Sequence, residues 1–184
     1  MKRDQFFVVS DINNIAYKFE AFIVPTLIAK GQTIVLTPNL NKCIAEVVHF
    51  KTMDLLVQSY TVEDDVDQRD DMRKDFIEGK IQFLYATPEM YFSNGFFRDF
   101  VNDQVRNNRL YCIVINDAKN FLNEKEEIFG YNSYKQLSVL KCINRALKWV
   151  VIGDINDTDE VIEISEALKL SNPMIKYRRD FGGF

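Results

Sequence analysis

The chain has 184 residues, a length that suits one domain with a sizeable core. Hydrophobic residues make up 47% and charged residues 27%, the balance of a folded globular chain rather than a disordered one. The net charge of −4 excludes the overall basic footprint of a nucleic-acid binder. No apolar run approaches the roughly 18 to 20 residues of a membrane span. Met1 to Gln5 lacks the apolar core of a secretory leader, so none is expected. Cys43, Cys112 and Cys142 each fall in apolar or helical stretches, which predicts buried free thiols rather than disulfides or a metal site. The single histidine, His49, lies in a helix-like run and is expected to be structural or on the surface.

Taken in order, Phe6-Phe7-Val8-Val9 has the length of a buried strand. Asp11 to Asn14 is a polar turn, and residues 16 to 30 then show helical apolar spacing, with Pro25 expected to kink or break that helix. Gly31 closes it, and Thr33-Ile34-Val35-Leu36 is a second strand ended by Thr37-Pro38. Residues 40 to 53 read as a helix and 55 to 57 as a strand. The acidic run from Val62 to Asp71 reads as solvated surface opening a helix that stops at Gly79. A strand over 81–85 precedes Thr87-Pro88, and 96–107 is an amphipathic helix. After an apolar strand over 111–115 comes a long acidic loop, 119–132, with Glu124, Glu126 and Glu127. Helices are predicted over 134–147 and 157–168 with a strand over 149–152 between them, and the segment from Met174 ends the chain. Lys176, Arg178 and Arg179 form a local basic stretch there. Strands alternating with helices indicate βαβ units, a parallel sheet and one α/β domain over residues 1–184.

The stretch around which this pattern is organised is Tyr111-Cys112-Ile113-Val114-Ile115-Asn116-Asp117-Ala118-Lys119. Its apolar part reads as a strand buried on both faces, and its polar end falls where open α/β sheets place their ligands. Several segments together resemble the first lobe of RecQ-family DNA helicases, particularly the Bloom type. Pro25, Gly31 and Thr33 to Pro38 look like the family's stretch from the first helix into its motif Ia. Leu84-Tyr85-Ala86-Thr87-Pro88-Glu89 resembles the family's "LLYVTPE" segment, and Ile113 to Lys119 takes the place of "FVIDEAH". Ile164 to Leu170 looks like the helix after motif III. The resemblance covers nearly the whole chain and implies a RecA-like three-layer sandwich, a mainly parallel sheet flanked by helices.

The departures fall on the chemistry. The family's glycine-rich phosphate loop aligns Lys18 with its lysine, but Ile15-Ala16-Tyr17 precedes it and Phe19 follows, with no glycine and no metal-binding hydroxyl. Lys18 is therefore expected to be an ordinary helix-surface lysine, while Ile15, Tyr17 and Phe19 could plug the cleft. Asn116 stands where the family has the aspartate that holds magnesium, and Asp117 where it has a longer glutamate. Lys119 replaces the family's histidine, and Gly153-Asp154-Ile155-Asn156 replaces motif III. Asn123 to Glu127 stands in the family's DNA-sensing aromatic loop and would repel a phosphate backbone.

Phosphoryl transfer depends on positioning and charge stabilisation by these elements, and several are altered together. Lys18, Asn116 and Asp117 are accordingly expected to be remnants of a nucleotide site, with no catalytic residue, cofactor, metal or small-molecule substrate. The expected activity is a non-catalytic, helicase-like interaction module whose partner is another protein, with Phe92, Phe96, Phe97 and Tyr131 as candidate contacts. DNA binding without hydrolysis, or a residual ATPase, are the alternatives. The resemblance alone implies a nuclear genome-maintenance or chromatin setting, and the chain stops where a linker to a second lobe would begin.

Overall fold

The structure is a computed structural model that describes residues 5–9, 18–61, 64–121, 136–153, 155 and 158–177. Seven strands form one sheet: β1 (Gln5–Val9), β2 (Thr33–Leu36), β3 (Val57–Ser59), β4 (Phe83–Ala86), β5 (Cys112–Asn116), β6 (Trp149–Gly153) and β7 (Met174–Tyr177). Their order across the sheet is β3-β4-β2-β5-β6-β1-β7, and every pairing is parallel. The α-helices are α1 (Val24–Ile28), α2 (Leu40–Lys51), α3 (Val66–Ile77), α4 (Pro88–Ser93), α5 (Gly95–Arg106), α6 (Val139–Ile143) and α7 (Thr158–Ala167). This is the parallel α/β sheet expected from the alternation of elements, layered between helices as the resemblance implies, with β5 at the centre of the sheet.

Helices cover both faces, so the inner strands are apolar throughout and every residue of β2, β4, β5 and β6 is buried. The register sorts them by face. Val35, Tyr85, Val114 and Val150 lie side by side on one face, beneath Phe22, Cys43, Val47 and Phe50. On the other, Ile34, Leu84, Ile113 and Trp149 meet α3 to α7 through residues such as Phe76, Phe97, Val105, Leu140 and Ile164.

Pro25 acts as expected. Phe19–Ile23 is a π-helical turn, and a regular α-helix starts only at Val24, with the proline in its first turn where no amide donor is needed. Gly31 has a further role beyond closing that helix, because a β-carbon there would lie 2.6 Å from the Tyr111 β-carbon. Gly79 ends α3 with φ +79°, the left-handed stop the sequence predicts.

Four expectations are corrected. Helix α4 lies where only a strand end was expected. Thr87 caps it by accepting from the Met90 amide, Pro88 starts it, and Asn94 ends it while capping α5 through the Phe97 amide at 2.9 Å. The strand expected over 55–57 starts two residues later, because the Leu56 carbonyl is taken by the Gln82 and Phe83 amides ahead of the ladder. Within the helix expected over 134–147, the described α-helix is only Val139–Ile143. Asn144 ends it, accepting from the Ala146 amide at 2.9 Å and donating to the Val105 carbonyl at 3.0 Å. Met174–Tyr177 is not tail but the edge strand β7.

Of the cysteines, Cys43 and Cys112 are buried as expected, but Cys142 is exposed on α6. His49 is exposed beside the Phe50 ring. Part of the acidic run has structural work: Asp64 accepts from the Thr61 amide and hydroxyl, and Asp65 forms a capping box with Gln68 at the start of α3. Lys176 pairs with Glu20 at 3.3 Å, while Arg178, Arg179, Val62 and Glu63 lie outside the described residues.

Candidate functional site

At the carboxyl ends of β4, β2 and β5, the apolar face continues into polar side chains. Val35 lies between Tyr85 and Val114, and two residues beyond Val35 and Val114, Thr37 and Asn116 point to that same face by the strand period. Helix α2 lies over them. Asn39 caps it by accepting from the Lys42 amide at 2.8 Å, and its buried stripe is Cys43, Val47 and Phe50. Glu46 falls within that stripe by helical spacing, so its carboxylate is held against the strand ends.

Lys18 comes to the same place from the turn before α1. The sequence reading of it as a surface lysine is wrong: it is 3% exposed, and its Nζ lies 2.5 Å from Glu46 Oε1. Burial lowers the Lys18 pKa, and the Glu46 charge works against that shift. The Asn116 amide donates to both Glu46 oxygens, at 3.0 and 3.2 Å, and to Thr37 Oγ1 at 3.3 Å. Its own Oδ1 is buried with no hydrogen-bond partner among the described residues. Burial, then the Glu46 charge, raises the Tyr85 hydroxyl well above its ordinary value, and the same two causes, in that order, push Cys43 up to about 12.

Asp117 follows in the left-handed region, φ 63°, a conformation aspartate tolerates. It turns the chain out of β5 into a 3-10 turn over Ala118–Phe121 and meets Lys42 Nζ at 3.0 Å. Lys18 and Lys42 are thus each matched by a carboxylate from this chain. Among the described residues the donor set does not fit a magnesium nucleotide: the strand-end position is a neutral amide, and the buried lysine is paired with a carboxylate. Among the described residues no group of three or more histidines, cysteines or carboxylates is placed to hold a metal.

Lys18, Asn116 and Asp117, the sequence-predicted remnants, therefore do converge at one edge of the sheet. Glu46, Lys42 and Thr37 were missed. A carboxylate placed between Cys43, Val47 and Phe50 at the spacing of the buried stripe was the signal for Glu46. Phe19 does not enter the cluster; it packs edge-on against Phe50 at 6.0 Å. Ile15, Tyr17, Asp154, Asn156 and the segment Asn123 to Glu127 lie outside the described residues.

The proposed interaction aromatics divide sharply. Phe97 is fully buried, packed on Tyr60 at 4.5 Å, and cannot offer a contact. Phe92 is partly buried against the core, and Tyr131 lies outside the described residues. Phe96 is 75% exposed. It borders a groove of about 600 Å³ between α3 and α5, lined also by Arg73, Ile77, Phe100, Gln104 and Arg109. The Arg73 guanidinium lies over its ring at 5.8 Å and is bonded to Asp70.

No family profile and no curated protein matches the sequence. Solved structures do. The DUF1998 helicase MrfA, bound to DNA and AMPPNP, is similar with a TM-score of 0.68 and 16% identity over 97% of this chain and 25% of its own. A hypothetical ATP-dependent RNA helicase from Sulfolobus tokodaii gives 0.64 and 12%, over 95% of this chain and 48% of that one. The Pyrococcus furiosus Hef helicase domain gives 0.57 and 11%, over 95% and 35%. The fold is that of a RecA-like helicase lobe. At these identities the likeness is one of fold, it is not specific to the RecQ type, and the chain spans less than half the length of each structure.

Proposed function

We propose that this chain is a RecQ-like helicase lobe that does not process nucleotide and works as a protein-interaction or scaffold module. The observation that carries the reading is the buried Lys18–Glu46 pair, 2.5 Å apart. A lysine that is to bind phosphate must exchange water for the ligand, whereas this one has exchanged water for a carboxylate of its own chain. Asn116 supports the same reading, since an amide brings no charge to a magnesium ion. The genome-maintenance or chromatin setting rests on the RecQ resemblance alone.

A second reading, DNA binding without hydrolysis, is supported by the DNA bound to MrfA. The net charge of −4 weighs against it. Binding to single- or double-stranded DNA that weakens steeply with salt would favour this second reading over the first.

The test of the main reading is thermal unfolding with ATP or ADP and magnesium at millimolar concentrations. A ligand of the native state raises Tm in proportion to the logarithm of its concentration. No rise and no phosphate release are expected. A concentration-dependent rise that disappears in Lys18→Ala would overturn the proposal.

A further inference from the structure

We propose that Glu46 is the resident anion of a small oxyanion receptor, which the chain fills with its own side chain. The receptor is Lys18 and the Asn116 amide, with Thr37 as the second anchor of that amide. This rests on the non-catalytic reading above and deepens it, since it names what the cleft binds and why it takes nothing from solution.

The geometry is that of oxyanion recognition rather than of an incidental ion pair. One cation meets Oε1, and the Asn116 Nδ2 group reaches both carboxylate oxygens. Asn116 is 1% exposed, and it aims its donor at the carboxylate while its Oδ1 has no partner among the described residues. Leaving a buried acceptor unpaired carries a free-energy penalty, which the bonds from Asn116 Nδ2 to the anion and to Thr37 Oγ1 offset. The receptor groups come from three separate parts of the sheet edge, β2, β5 and the turn before α1, whereas the anion arrives on α2. Receptor and occupant are therefore on different elements, and one substitution removes the occupant without touching the receptor.

Removing the Glu46 carboxylate leaves a buried cation and a buried amide donor facing a space of carboxylate size. An external oxyanion restores both interactions. Inorganic phosphate is the probe, because its oxygens match the donors and it tests the phosphate-like character of the site. Wild type, Glu46→Ala, Glu46→Ser and the double variant Lys18→Met/Glu46→Ala are titrated with sodium phosphate by calorimetry. Tm is followed in phosphate and in sodium chloride at equal ionic strength.

The expected result is phosphate binding by Glu46→Ala or Glu46→Ser at least about tenfold tighter than by wild type, corresponding to about 1.4 kcal/mol. It is accompanied by a phosphate-specific rise in Tm, and both are lost in the double variant. Detectable phosphate binding that is equal in wild type and the Glu46 variants would overturn this inference together with the non-catalytic reading. Absence of binding in every variant would overturn the inference and leave the non-catalytic reading standing. Binding that persists in the double variant, or failure of both single variants to fold in any salt, would also overturn it.

Discussion

The strand-end cluster and the α3–α5 groove use charged residues in opposite ways. At the cluster, Lys18 and Lys42 are each matched by a carboxylate within 3.0 Å, and the Asn116 amide is turned inward to the same set. At the groove, Arg73 and Asp70 pair beside Phe96, which remains 75% exposed over an open depression. The first region pairs both of its lysines and the Asn116 donor internally, leaving little cationic character for a ligand. The second keeps an aromatic side chain and a charged rim in water, the composition of an interface anchor. Under the proposed interaction role, the groove rather than the strand-end edge is the surface expected to meet a partner.

Replacing side chains on either side of that contrast should separate packing from recognition. Phe97→Ala, which empties a fully buried position against Tyr60 and Phe100, is expected to cost about 3–5 kcal/mol in urea unfolding. A loss under about 1 kcal/mol would return Phe97 to the list of surface contacts. Glu46→Ala should cost about 3 kcal/mol by stranding Lys18, whereas Lys18→Met/Glu46→Leu should come back to within about 1 kcal/mol of wild type. If the apolar pair is no better than the single variant, the cluster is not a self-contained ion pair.

Gly31→Ala drives a β-carbon against the Tyr111 β-carbon, and a loss of about 1–3 kcal/mol is expected from the same unfolding measurement. Alkaline pH gives a smaller effect. Burial pushes the Cys43 and Cys112 thiols up to about 12 from an ordinary 9.0. A folded-state pKa raised in this way contributes stability that is complete below about pH 9 and lost as pH climbs from there towards 12. At pH 10 the loss is about 1 kcal/mol per thiol, and Cys43→Ala/Cys112→Ala should flatten the stability profile between pH 9 and 11. An unchanged slope would place both thiols in wetter surroundings. The smallest stability effect belongs to Phe96→Ala, within about 0.5 kcal/mol, yet this variant should weaken capture of a protein partner. Full retention of the partner by Phe96→Ala would move the interface elsewhere.

Much of the fold was legible because its strands are buried on both faces. Thr33-Ile34-Val35-Leu36 and Trp149-Val150-Val151-Ile152 read as strands from their apolar runs, and Gly79 marked a helix end. Short elements defined by caps were not: Thr87 and Asn94 build α4 and start α5 through side-chain bonds that periodicity does not register. Edge strand β7, with Met174, Ile175 and Lys176 exposed, has no apolar pattern to mark it. In the candidate site, Lys18, Asn116 and Asp117 were legible by resemblance to the family's motifs, but their electrostatic partners were not. Glu46 lies 28 residues from Lys18 and 70 from Asn116 in the chain, so only the packing of α2 on the sheet brings them together. Composition could not separate Phe96 from Phe97 either; a turn of 100° on α5 puts one in water and the other in the core.

The central claim, that the cleft's lysine is neutralised from within, is tested most directly by a double-mutant cycle between Lys18 and Glu46. Lys18→Met, Glu46→Gln and the double variant would be compared with wild type in urea at neutral pH. A favourable coupling of about 1.5–3 kcal/mol between the two side chains is expected for a buried, charge-assisted contact. A coupling indistinguishable from zero would mean that Lys18 is not held by Glu46 and remains available to a ligand.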